Sequence, residues 1–62
     1  MELLREKFFK TFSNIPINLR DDIIIVLENE GTVTWKVAYF EIKNKTVIGN
    51  KILKELKELD LI

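Results

Sequence analysis

Lys45, Thr46, Asn50, Lys51 and Lys54, close together in the last third of the chain, carry its most definite binding chemistry. A lysine ammonium meets a guanine edge or a phosphate oxygen, and an Asn amide can bond adenine with both its donor and its acceptor. On a helix opening at Thr46, Val47, Asn50, Lys51, Lys54 and Glu58 lie opposite the apolar stripe Ile48, Ile52, Leu53, Leu56 and Leu59. Such a face suits double-stranded DNA, bound weakly and without strong sequence preference. It also suits an ordinary solvated helix, with Lys51–Glu55 and Lys54–Glu58 pairs one turn apart. The other constellation is Asp21-Asp22. Adjacent carboxylates can hold a metal or move a proton. Here no third acid stands at motif spacing, and the chain has no His and no Cys. The pair is therefore read as helix-start residues facing a helix dipole. Gly31 and Gly49 are isolated, so no phosphate-cradling loop is expected. The lone Trp35 reads as a core anchor rather than a base-stacking platform, because no basic residues interleave with the aromatics. Catalytic residues, metal and cofactor are all expected to be absent, and the chain reads as a binding protein rather than an enzyme.

Composition sets the frame for these residues. A chain of 62 residues makes one domain, residues 1–62, with a thin core. It buries only about 60% of its unfolded surface, which oligomerisation would relieve. The hydrophobic content of 47% argues for a folded globule. Ten basic and ten acidic residues give zero net charge, which is unusual for a DNA binder. Acids dominate up to Glu30 and lysines afterwards (Lys36, Lys43, Lys45, Lys51, Lys54, Lys57). The longest apolar run, Ile23 to Leu27, is far too short for a membrane span, and no signal peptide is visible. A cytoplasmic protein without membrane contact is expected. The Ile, Lys and Glu bias suggests a thermophilic source.

The elements expected to position these residues follow from pattern and capping. Glu2 to Phe12 has Leu4, Phe8 and Phe12 on one stripe, widened by Leu3 and Phe9, with Glu2, Arg5, Glu6, Lys7 and Lys10 on the other side. The segment Ser13-Asn14-Ile15-Pro16 ends that helix. Asn18 is a good N-cap for a second helix carrying Leu19, Ile23, Val26 and Leu27 inward, closed near Gly31. The β-branched run Ile23 to Val26 leaves a buried strand as the alternative, and the cap favours helix. Thr32-Val33 is short and extended. Thr34 caps a third helix with Trp35, Ala38, Tyr39 and Ile42 on one face, and Asn44 closes it in left-handed geometry. Thr46 caps the last helix. Leu61-Ile62 is expected to pair with Thr32-Val33 as a minimal ribbon.

The order IIIVLENEG, TVTWKVAYFEI, KNKT, VIGNKILKELKELDLI resembles the helix-turn-helix core of winged-helix DNA-binding domains, over about two-thirds of the chain. Leu53, Leu56, Leu59 and Leu61-Ile62 match the family's closing run, with Asp60 where the family prefers Gly. The turn Lys43-Asn44-Lys45-Thr46 departs from the usual Gly-apolar-Ser pattern, and no residues follow Ile62 to build the wing. The resemblance implies an all-α, or α-dominant, fold: an N-terminal helix (residues 1–13) and a winged-helix-like tri-helical core (residues 18–62) with at most a minimal β-ribbon. It implies a small regulator or chromatin-associated protein contacting the major groove through Lys45, Thr46, Asn50, Lys51 and Lys54. The alternative is a wingless protein-interaction module that binds no DNA. The family places a small residue where its two helices cross. Tyr39 falls there, opposite Gly49, as a swap that conserves volume. Ala38 is the alternative crossing residue.

Phe8 and Phe9 are adjacent, so on a helix they point about 100° apart. They are not expected to share one thin core. Leu4, Phe8, Phe9, Phe12, Ile24 and Ile25 are accordingly expected to form an isologous homodimer surface.

Overall fold

In the computed structural model, which describes residues 2–62, three helices pack on a two-stranded antiparallel sheet. Helix dominates, as expected, and one element differs in kind. Helix α1 (Glu2–Ser13) turns Phe8 and Phe12 into the core, with Leu4 and Phe9 partly buried against it. The side chains of Ser13 and Asn14 bond back to the Lys10 carbonyl at 2.8 and 3.1 Å. These bonds satisfy an end carbonyl of α1 just before Ile15-Pro16 forces the chain out of helix. Arg5, which the sequence pattern puts on the outer side, is buried. Its Nε donates to the Ile42 carbonyl at 3.3 Å, capping the end of another helix, and its guanidinium pairs with Glu2.

The expected second helix is corrected. Ile17–Leu19 makes only a single 3₁₀ turn, led by Pro16 rather than by an Asn18 cap. Ile23–Leu27 is strand β1, and it pairs with strand β2 (Gly31–Thr34) in a hairpin. Four consecutive β-branched residues lose little rotamer freedom in a strand and more in a helix. The Thr-Val-Thr segment supplies a matching partner: Ile25 lies opposite Val33 and Val26 opposite Thr32. Gly31 closes the hairpin turn at φ 89°, so the left-handed residue expected to end a helix ends a turn instead. Ile24 is the extra residue of a bulge, since Ile23 and Ile25 face the successive residues Thr34 and Val33. Ile25, Leu27 and Val33 point into the core. Asp21 and Asp22 lie in the turn before β1, not at a helix start.

Helix α2 (Trp35–Lys43) opens as the sequence predicts, with Thr34 Oγ1 accepting from Val37 N at 3.1 Å. Asn44 closes it, its side chain donating to the Phe40 carbonyl at 2.8 Å, but the left-handed residue is Lys45 at φ 55°. Helix α3 (Val47–Glu58) starts on Thr46, whose Oγ1 accepts from Gly49 N at 2.9 Å. It ends in a Schellman-type closure. Leu61 N bonds to Leu56 O at 2.9 Å and Asp60 N to Lys57 O at 3.0 Å, with Asp60 at φ 57°. Ile62 packs on the core, and Leu61-Ile62 forms no strand. The expected ribbon with Thr32-Val33 is replaced by the β1–β2 pairing.

Helices α2 and α3 cross closely because Gly49 has no side chain. A Cβ there would fall 2.7 Å from the Glu41 carbonyl carbon and 3.0 Å from Ile42 N. The residue facing Gly49 is therefore α2 backbone at Glu41-Ile42, and the expected Tyr39–Gly49 size swap is corrected. Tyr39 packs instead on α1, its ring stacked 4.6 Å from Phe12. The core is completed by Ala38, Ile42, Ile52, Leu53 and Leu56.

Candidate functional site

The last helix presents its expected residues unequally. Asn50, Lys51 and Lys54 are exposed, and Lys45 is exposed in the turn before the helix. Thr46 is committed to structure. Besides capping Gly49 N, its hydroxyl lies 2.6 Å from Glu41 Oε1, to which it donates. Lys51 Nζ pairs with Glu30 Oε1 at 3.0 Å across to the hairpin turn, rather than with Glu55. Lys51 and Lys54 share a shallow depression with Leu27, Glu28, Asn29, Glu30, Glu55 and Glu58. Four carboxylates there accompany two ammonium groups, so the formal charge of the depression is negative. The hairpin brings two of those acids to α3, and no local sequence signal predicts it.

The residues expected at a dimer surface are placed differently again. Phe8, Phe12 and Ile25 are buried within the chain, and Leu4, Phe9 and Ile24 pack partly buried against the same core. The premise that Phe8 and Phe9 cannot both face the core is corrected by the aromatic residues of α2. Phe8 lies 6.1 Å from the Trp35 ring, and Phe9 meets Tyr39 edge-on at 5.7 Å. Trp35 and Tyr39, one turn apart on α2, bracket α1 and receive both side chains. Trp35 is the anchor beneath the N-terminal helix that the sequence suggests.

A second concavity lies on the α1–α2 side. It is an open groove of about 750 Å³, lined by Phe9, Phe12 and Ser13 of α1, by Arg20, and by Lys36, Tyr39 and Lys43 of α2. Helical spacing makes two of its walls: Phe9, Phe12 and Ser13 at i, i+3 and i+4, and Lys36, Tyr39 and Lys43 at i, i+3 and i+7. The third wall is fixed by backbone. Lys36 N donates to Arg20 O at 3.0 Å and Trp35 N to Asp22 O at 3.3 Å, tying the segment before β1 to the first turn of α2.

The charges of the groove are held in place by its aromatic floor. The Arg20 guanidinium lies 4.4 Å over the Phe12 ring, and its Nε donates to the Ile15 carbonyl at 3.2 Å. Tyr39 stacks on the same Phe12 ring, with centroids 4.6 Å apart. Lys43 Nζ lies 5.8 Å from the Tyr39 ring centre. Lys36 pairs with Asp21 at 3.1 Å in an exposed position, worth little against solvent. The rim thus carries three cations, one of them paired with a carboxylate. Phe12 is buried beneath its neighbours and offers no open face to a nucleobase. The groove offers apolar edges and positive charge, not a stacking platform. Of its residues, the sequence singles out Phe9 and Phe12 as a dimer surface and Tyr39 as the residue opposite Gly49. The sequence pattern puts Tyr39 on a face with Trp35, Ala38 and Ile42 rather than with Lys36 and Lys43, and nothing local points to Arg20.

Comparison of the chain with protein-family models, with curated proteins and with solved structures gives no match. No described helix is long and apolar enough to cross a membrane.

Proposed function

We propose that the chain is a small protein-interaction module whose docking face is the α1–α2 groove. The partner is an acidic amphipathic segment: apolar side chains seat against Phe9 and Tyr39, and carboxylates meet Arg20, Lys36 and Lys43. The observation that carries this reading is the coincidence, in one groove, of an apolar floor and a rim of three cations on a chain of zero net charge. Charge complementarity of this kind sets partner choice and association rate more than raw affinity. The Arg20 guanidinium is already pinned by Phe12 and Ile15, so it loses little freedom on binding.

The test is a fluorescence-anisotropy titration with a labelled peptide of alternating acidic and Leu/Phe residues, against the same peptide with Lys for each acid. Preferential binding of the acidic form, weakened about tenfold or more (1.4 kcal/mol) by Lys43→Glu, supports the reading. Equal binding of both peptides, or no effect of Lys43→Glu, overturns it.

A second reading, duplex DNA bound through α3, draws on the helix-turn-helix arrangement of α2 and α3 and on exposed Asn50 and Lys54. It requires the protein to overcome the carboxylates beside Lys51. The same assay with a duplex at low salt tests it. Non-specific binding that strengthens as salt is lowered, with a dissociation constant on the order of 10⁻⁴–10⁻⁶ M at physiological salt and lost in Lys51→Glu with Lys54→Glu, favours DNA over the groove.

A further inference from the structure

We propose that the free edge of β1 accepts an extended strand from a partner protein, apolar at its centre and flanked by basic residues. This site is separate from the α1–α2 groove and does not rest on it. Strand β1 pairs with β2 alone. Among the described residues, no backbone hydrogen bond joins Ile23–Leu27 to any other element. An edge of this kind presents unpaired N–H and C=O groups, a template for strand addition. Its sequence suits that use: five residues, all aliphatic, four of them β-branched, with no Pro and no charge. Ile23 and Val26 are 58% and 67% exposed, so the strand carries apolar side chains open to a partner. The bulge at Ile24 shortens the regular run, so side-chain and charge contacts must add to the ladder. The β2 edge is a poorer template, being mostly Gly and Thr and leading straight into the Thr34 cap of α2.

The flanking charges select the occupant. Asp22 stands just before the strand and Glu28 just after it, both exposed and neither ion-paired among the described residues. Pairing with a second copy of this chain, antiparallel and centred on Ile25, sets Asp22 opposite Glu28 of the other copy. Parallel in-register pairing sets Asp22 against Asp22 and Glu28 against Glu28. Both arrangements oppose like charges across strands, which is unfavourable. The edge is thereby guarded against its own copies while remaining open to a strand with Lys or Arg at both ends.

The experiment is a titration of the ¹⁵N-labelled chain, followed by amide shifts and hydrogen exchange. The probes are a short Val/Thr peptide flanked by Lys pairs, its Glu-flanked counterpart, and a Lys-flanked version with Pro at the centre. The expected result is new protection at β1 amides with the first peptide only. The double variant Asp22→Lys with Glu28→Lys should reverse the preference, losing about tenfold or more for the Lys-flanked peptide and gaining the Glu-flanked one. Equal binding of Lys- and Glu-flanked peptides overturns the charge selection. Binding that survives Pro, or that perturbs Tyr39 and Lys43 instead of β1, overturns the strand mode. Concentration-dependent protection of β1 without peptide overturns the exclusion of a second copy. None of these outcomes depends on whether acidic peptides occupy the groove.

Discussion

Gly49→Ala sets helix propensity against packing, and the two predict opposite signs. Replacing Gly by Ala inside an exposed helix stabilises by about 1 kcal/mol. At Gly49 the added methyl would lie 2.7 Å from the Glu41 carbonyl carbon and 3.0 Å from Ile42 N. Carbon atoms in contact rest about 3.5–4.0 Å apart, so the helices must separate by close to 1 Å. Backbone is the obstacle, and no side chain can rotate away. Separation also loosens Ala38, Ile42, Ile52 and Leu53, all fully buried on α2 and α3. Overpacking costs typically 1–3 kcal/mol, and the rigid obstacle puts this case at the upper end. Subtracting the propensity gain leaves a net loss of about 2 kcal/mol for Ala, and more for Val. In a domain of this size that lowers the melting temperature by about 8–16 °C. Thermal unfolding followed by circular dichroism reads it directly. Gly31 is the control, since it has open space for a Cβ but sits at φ 89°. Gly31→Asn should be tolerated because Asn accepts left-handed backbone, whereas Gly49→Asn should not. A Gly49→Ala variant that melts at or above the parent temperature would show that the α2–α3 crossing is looser than described, and would refute the reasoning.

Two further outcomes follow from the same packing. Asp60→Gly should stabilise by about 1 kcal/mol, because Asp60 holds φ 57° at the end of α3 where Gly has no steric penalty; a lower urea midpoint would contradict the closure described. Phe8→Ala should cost about 3–5 kcal/mol, the usual loss for a buried Phe, since Phe8 is fully enclosed by the chain itself. Sedimentation of the parent should then show a mass near 7.3 kDa, whereas a dimer dissociated by Phe9→Glu would restore the homodimer surface expected from sequence.

Elements whose signals are local are readable from the chain alone. The stripe Leu4, Phe8, Phe12 and the Ile15-Pro16 break placed α1, and Thr34 and Thr46 placed the starts of α2 and α3, because a cap is a bond between residues three apart. Tertiary structure decided the rest, and the reason is range. Ile23–Leu27 has an apolar pattern that serves a buried helix or a strand, and pairing with Gly31–Thr34 selected the strand. Asn18, Asp21 and Asp22 then lost the helix they seemed to begin. Adjacent Phe8 and Phe9 share one core only because α2 presents Trp35 and Tyr39 on either side of them. Helical spacing offers Lys51 the neighbouring Glu55, and the hairpin brings Glu30 to it instead. The groove joins residues from α1, from the turn before β1 and from α2, and backbone bonds such as Lys36 N to Arg20 O hold its parts together. No window of the sequence short enough to be read as a motif contains all of it, so the site exists only where the chain has folded back on itself.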